Sequence, residues 1–257
     1  MSYKKVELTS RNAVVIGGTS GIGLTIAKGL AEAGANVMAT GRRANLVEAA
    51  AEEIRKTGRK SLAIPCDVGD KASLEAVLQG AKAEWGGVDI LVNAAGITKR
   101  APTVDFPEIE WNRIMDTNLN GTLRSCQVFG RHMVERKYGR IVNIGSIASM
   151  LALYEVTAYC ASKAAVAALT KSLAIEWARS GVCVNAILPG VFRTDLNTKL
   201  LDGPRGAEFL QRTPMGRFGQ LEELVGAAVF LASEAAGFVT GHLLAVDGGI
   251  LASGVNQ

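Results

Sequence analysis

A short apolar run, Asn12 to Ile16, leads directly into G-G-T-S-G-I-G and then into the helical pattern L-T-I-A-K-G-L-A-E-A, which closes at Gly34. Strand, glycine turn and helix in immediate succession make the unit from which parallel sheets are built. The pattern recurs along the chain. A second strand is expected at Asn36 to Thr40, then a helix ending at Gly58, the strand S-L-A-I-P-C-D-V (Ser61 to Val68), a helix to Trp85, and the strand V-D-I-L-V-N into A-A-G. Pro107 and Glu108 open a helix that should run through Asn118 towards Lys137, weakened midway by Asn118 and by Gly121. The runs Arg140 to Ile144, Val182 to Leu188 and G-H-L-L-A-V-D-G-G supply later strands, and an Ala-rich helix ends at Gly181. Strands and helices alternating at this spacing predict an α/β fold, a parallel sheet covered by helices.

The 257 residues contain 48% apolar side chains and no linker rich in Pro, Ser or charge, so one domain spanning 1–257 is expected. A formal charge of +4, dispersed along the chain, does not point to nucleic acid or an anionic membrane as partner. The opening residues lack an apolar signal core, and no later run is long enough to span a bilayer, so a cytoplasmic protein is expected. Cys66, Cys126, Cys160 and Cys183 are scattered, with only His132 and His242 as histidines. Reduced core thiols and no metal site follow from that distribution.

In the first glycine turn, Gly17, Gly21 and Gly23 let the backbone come close to a pyrophosphate, while the helix N-terminus aims free N–H groups at the anion. With the intervening Thr19, Ser20 and Ile22 they form a candidate dinucleotide site. A carboxylate that would grip a ribose 2′-hydroxyl belongs about 20 residues further on, but that place holds Gly41 followed by Arg42 and Arg43. Two guanidinium groups there suit a 2′-phosphate, so NADP(H) is preferred over NAD(H). The competing reading is two solvated arginines at a helix start. Asp67 with Val68, and Asn93 with Ala94 and Gly96, stand at strand ends facing the same crevice. After Val182 to Leu188 the chain enters P-G-V-F-R-T-D-L. Residues 191–219, rich in Gly, Pro and charge, read as a substrate lid.

The chemistry is expected on the Ala-rich helix. Tyr159 and Lys163 are four residues apart, so their side chains emerge on one face a turn apart. A phenol ionises near pH ~10, and an adjacent ammonium would favour its phenolate. Ser146, at the end of the run Arg140 to Ile144, lies in a loop able to bring its hydroxyl back to the phenol. Two hydroxyls and a cation could then hold a carbonyl oxygen and pass it a proton while hydride arrives from elsewhere. Lys99 and Arg100 follow a strand end, so Arg100 is a candidate for a substrate carboxylate. The competing reading is two ordinary surface bases.

Taken together, the Gly17/Gly21/Gly23 loop, C-D-V at Cys66 to Val68, N-A-A-G at Asn93 to Gly96, N-L-N-G-T around Asn118, Ser146, Y-C-A-S-K, and P-G at Pro189 resemble the short-chain dehydrogenase/reductase family over nearly the whole chain. The resemblance implies a Rossmann-type doubly wound sheet of seven parallel strands with helices on both faces, and a homotetramer. It implies Tyr159 as general acid/base, Lys163 as the group that lowers its pKa and holds the nicotinamide ribose, Ser146 on the substrate oxygen, Asn118 anchoring a water, and Pro189, Gly190, Val191 and Thr194 as further cofactor contacts. The sequence departs from the family pattern at Ile16, often Thr, and at Ala94, often Asn. The segments Gly96 to Pro102 and T-P-M-G-R-F-G are similar to gluconate 5-dehydrogenases, implying a small sugar acid as substrate with Arg100, Ser146 and Tyr159 around it. One alternative is a 3-oxoacyl-carrier-protein reductase, with Arg124, Arg131, Lys137 and Arg140 facing an acidic carrier. Another is a catalytically silent NADP-binding sensor or scaffold.

Overall fold

The computed structural model describes residues 4–194 and 197–254, so residues 195 and 196 of the expected lid, together with both chain ends, fall outside it. Six parallel strands form one sheet in the order β2-β1-β3-β4-β5-β6. They are β1 (Asn12–Ile16), β2 (Asn36–Thr40), β3 (Ile90–Asn93), β4 (Gly139–Ile144), β5 (Val182–Pro189) and β6 (Leu243–Val246). Every residue of β3, β4 and β5 is buried, as expected for central strands covered on both sides.

Alternation along the strands divides the core in two. Val15, Val37, Ile90 and Val142 face α1 (Gly21–Glu32), α2 (Ala44–Arg55) and α9 (Val225–Ala232). Val14, Met38, Leu91 and Ile141 face α3 (Lys71–Trp85), α5 (Gly121–Glu135) and α6 (Thr157–Trp177). From β1 the chain passes to β2 on one side, then returns to build β3 through β6 on the other. The crevice between the carboxyl ends of β1 and β3 is therefore the place where a doubly wound sheet receives its ligand.

Two expectations need correction. The segment Ser61 to Val68 does not form a strand, so the sheet has six strands among the described residues and not seven. It runs outside β2 and is held near its ends, by Val37 N–H to the Lys60 carbonyl (3.1 Å) and Cys66 N–H to the Gly41 carbonyl (2.9 Å). Pro65 has no N–H to donate, and between the end contacts it is the Thr40 hydroxyl, from a side chain, that reaches the Ile64 carbonyl. The long helix expected from Pro107 to Lys137 is also interrupted. It comprises α4 (Glu108–Met115), a π turn at Asp116–Asn120, and α5. A π turn lets one residue bulge without ending the helix, and here the residue at its centre is Asn118.

The excursion between β5 and α9 is more ordered than its composition implied, containing α7 (Thr198–Leu201) and α8 (Pro204–Arg212). Its two ends meet in a parallel bridge between Phe192 and Gly219, with Gly219 N–H donating to the Val191 carbonyl at 3.0 Å.

At the opposite end of the sheet His132 is buried, and its Nε2 accepts the Val88 N–H at 3.2 Å. Burial, then the nearby charge of Arg136 and Lys82, holds its pKa below 6.5. Unfolded chains bind a proton near pH 6.5 while the folded site resists one, so stability is full above that pH and is lost as pH falls towards the folded value. Thermal unfolding from about pH 7.5 to about pH 5 should show this loss, and His132→Gln should flatten it.

Candidate active site

The expected site residues gather at the carboxyl edge of β1, β3, β4 and β5, except that the Asn93 side chain turns into the sheet and Arg100 stands at the rim, bound to Glu155. Tyr159 and Lys163 leave α6 on the same face, and Lys163 Nζ lies 5.7 Å from the centre of the phenol ring. Lys163 is only 6% exposed, and its ammonium donates to the Ile144 carbonyl at 2.7 Å where β4 ends. Burial lowers its pKa from 10.5 to about 8. Ser146 caps a short 3-10 turn, its hydroxyl accepting the Ala148 N–H at 3.1 Å, and it stands near enough to the Tyr159 phenol to lower its pKa.

The phenol departs from expectation in one respect. Its pKa is raised above 10, chiefly by burial; the Ser146 hydroxyl acts downward and Cys160 acts upward. Desolvation of the phenolate is the largest of these influences.

Asn118 is fully buried and occupied on every side. Its Oδ1 accepts the Ile97 N–H at 2.8 Å, while its Nδ2 donates to the Ile97 carbonyl at 2.9 Å and to Ser162 Oγ at 3.0 Å. Ser162 in turn donates to the Tyr159 carbonyl at 2.8 Å. The π turn thus clamps the segment after β3 to the helix that carries Tyr159. Thr122 completes it by donating to the Asn118 carbonyl at 2.8 Å. Ser162 and Thr122 were not singled out from the sequence, where a hydroxyl three or four residues from a site residue has no distinguishing mark.

The glycine loop fits close backbone approach. A Cβ on Gly23 would lie 2.1 Å from the Gly17 carbonyl oxygen, and one on Gly17, at φ +77°, would lie 2.5 Å from Ala95 N. The loop after β1 and the loop after β3 therefore touch, and side chains there would force them apart. Ser20 precedes α1 in an extended conformation without using its side chain as a cap, which leaves a hydroxyl beside the helix N-terminus. Thr194 from the far loop comes within 3.8 Å of the place a Gly21 Cβ would occupy. Gly190 sits directly on Asp247, its N–H bonded to the Val246 carbonyl at 2.9 Å. Ile22 packs on the core and Val191 is half-buried.

Gly41 lies against Thr19, and Arg42 and Arg43 are exposed without an ion pair among the described residues. Asp67 is exposed and accepts the Gly69 N–H at 2.9 Å, while Val68 is buried against Gly121. The Asn93 side chain is different: it donates to Asn143 Oδ1 at 2.9 Å inside the sheet, not into the crevice. Ala94 follows, its N–H on the Ile16 carbonyl at 2.8 Å, and Gly96 leaves room beside Lys163 Nζ. Arg100 is bound by Glu155, Nε to Oε2 at 2.7 Å, and Lys99 lies 3.7 Å from Glu110.

Residues 17–251 match the family model described as enoyl-(acyl carrier protein) reductase. The chain is 44% identical over 251 residues to the gluconate 5-dehydrogenase of Gluconobacter oxydans, covering 96% of this chain and 97% of that one. It is 42% identical over 243 residues to the D-threitol dehydrogenase of Mycolicibacterium smegmatis, covering 95% of this chain and 94% of that one. Among solved structures, a gluconate 5-dehydrogenase from Burkholderia cenocepacia in complex with NADP and tartrate superposes with a TM-score of 0.93. The two are 41% identical, over 97% of this chain and 98% of the other. With a sheet, a glycine loop and a Ser–Tyr–Lys cluster that agree in sequence and in space, the chain belongs to the short-chain dehydrogenase/reductase family.

Proposed function

We propose that this protein is an NADP(H)-linked oxidoreductase that interconverts a secondary alcohol and a ketone on a small sugar acid of the gluconate/5-ketogluconate type. The observation that carries the reading is the junction of Ser146, Tyr159 and the buried Lys163 at the carboxyl edge of the sheet, beside a glycine loop that side chains would fill. The relatives named for gluconate and the neighbour bound to NADP support the substrate class and the cofactor.

The glycine cradle and the Ser20 hydroxyl at the start of α1 suit a pyrophosphate, and Arg42 and Arg43 suit a 2′-phosphate. Bound there, the nicotinamide supplies or accepts the hydride. Ser146 would hold the substrate oxygen. Tyr159 would donate its proton to the oxygen as negative charge develops there in ketone reduction, and would take a proton from the hydroxyl in the reverse direction. Lys163 would place its ammonium near that charge and stabilise it. Asn118 holds the geometry through Ile97 and Ser162, and a water on the Lys163 side would belong beside it.

The carrier-protein alternative is less well supported. Arg140 is buried, with its guanidinium 4.7 Å from the Tyr138 ring and 3.4 Å from Glu234, and Arg124 is paired with Asp116 at 2.6 Å. Two of the four expected docking bases thus serve the fold, while Arg131 and Lys137 are exposed. A silent sensor would use Lys163 on the nicotinamide ribose but would not need Ser146 beside the Tyr159 phenol. Exposed Ile109, Ile175 and Phe238 support assembly of several copies, with the family tetramer as the form proposed. Among the described residues no helix is long and apolar enough to cross a membrane, and the four free cysteines suit a cytoplasmic setting.

Turnover measured with NADPH and NADH across 5-ketogluconate, a neutral ketose and an acetoacetyl thioester should be highest with NADPH and the keto acid. Preference for the thioester would replace the reading with its alternative. Tyr159→Phe keeps the ring and removes the transferable proton, so kcat should fall about 10²- to 10⁴-fold while NADPH affinity changes little. Lys163→Met should abolish turnover and yet stabilise the cofactor-free protein. A pKa depressed from 10.5 to about 8 corresponds to on the order of 3 kcal/mol against the buried ammonium, and that stability is lost as pH falls from 10.5 through 8. Allowing for the lost bond to Ile144, a rise of a few degrees in thermal midpoint at neutral pH is expected.

A further inference from the structure

Resting on the sugar-acid reading above, we propose that Glu155 is a positioning residue that holds Arg100 in place to receive the substrate carboxylate. Glu155 stands four residues before Tyr159, in a left-handed backbone conformation (φ +63°) that a non-glycine residue rarely adopts. Such a conformation persists only where the surroundings fix it. Here both ends of the residue are tied to the segment after β3. Its carbonyl accepts the Ala101 N–H at 3.0 Å, and its carboxylate accepts Arg100 Nε at 2.7 Å. Two residues on, Thr157 shares a 2.6 Å hydroxyl contact with Thr103, so the two segments are stitched side by side up to the first turn of α6.

The form of the contact matters. Glu155 engages the Nε edge of Arg100, which leaves Nη1 and Nη2 without a partner among the described residues. A guanidinium gripped on one edge still presents a forked pair of donors to a second carboxylate. Exposure agrees with this division: the Glu155 side chain is 19% exposed and that of Arg100 is 49%. The carboxylate is the fixed partner and the guanidinium the open one. The lid reaches the same place, since Arg205 of α8 donates to the Tyr154 carbonyl at 3.0 Å. A cation aimed from this rim would meet an acidic substrate at a point set by Glu155, and a neutral polyol would have nothing to gain from it.

The test is steady-state kinetics on 5-ketogluconate and on a neutral ketose, with the intact protein and four variants: Glu155→Ala, Glu155→Gln, Arg100→Ala and the Glu155→Ala/Arg100→Ala double variant. Glu155→Ala should raise KM for the keto acid about ten-fold with kcat within about two-fold, and should leave both constants for the neutral ketose unchanged. Gln still accepts the Nε hydrogen bond, so Glu155→Gln should return KM to within about two-fold of the parent. Because the glutamate acts through the arginine, the double variant should be no worse than Arg100→Ala. Equal losses on both substrates, an unchanged KM in Glu155→Ala, or additive effects in the double variant would each overturn the proposal while leaving the sugar-acid reading intact. If the parent protein prefers the neutral ketose to the keto acid, that reading fails, and the role of Glu155 fails with it.

Discussion

A single buried contact, from the Lys163 ammonium to the Ile144 carbonyl, is what the rest of the site is arranged around. Placing a cation where it is 6% exposed at the end of a parallel strand is unfavourable, as the fall of its pKa to about 8 indicates. The surrounding structure tolerates it because the Ala-rich α6 packs closely against β5 and fixes the side chain on a carbonyl acceptor. That one contact sets how far along α6 the phenol stands. Tyr159 follows one turn earlier, and Ser146, two residues beyond Ile144, is brought against it. Strand end, hydroxyl, phenol and ammonium are thereby one rigid unit.

Around this unit the loops are held by backbone contacts more than by side chains. The first glycine loop presses on the segment after β3, and that segment is fastened to α6 by the Asn118 amide through Ile97 and Ser162. The crevice is thus framed by three connections that cannot move independently. The π turn is a means to this end. By bulging the helix at Asn118, it brings an amide to meet both backbone groups of Ile97, which regular helical geometry at the same residue would not be required to do.

How far the chain could be read in advance follows from what each residue's role depends on. The strands β1 and β2, the glycine turn and the Tyr159/Lys163 pair were legible because local spacing alone determines them. A weak point at Asn118 was also visible, since Asn and Gly are poor helix formers wherever they occur. Pairing of a segment with a neighbour was not. Ser61 to Val68 has the composition of a strand, but whether it joins the ladder depends on where β2 offers its groups and on the N–H that Pro65 lacks. Arg100 looked free because its partner is 55 residues away, and the left-handed backbone of Glu155 has no signature in its neighbours. The phenol's raised pKa was likewise hidden, since the spacing of Tyr159 and Lys163 does not reveal how deeply each is buried.

The bridge between Phe192 and Gly219 has an architectural meaning. The excursion leaves and re-enters the scaffold at one point, and beyond that doorway it touches the rest of the chain at a few places, Arg205 on the Tyr154 carbonyl and the Met215 N–H on the Gly248 carbonyl among them. Closure entropy grows only logarithmically with the number of residues enclosed, so this compartment could be lengthened, trimmed or exchanged at slight thermodynamic penalty. A chain built this way can acquire a new clientele by redrawing one annexe while the hydride-transfer floor plan stays as it is.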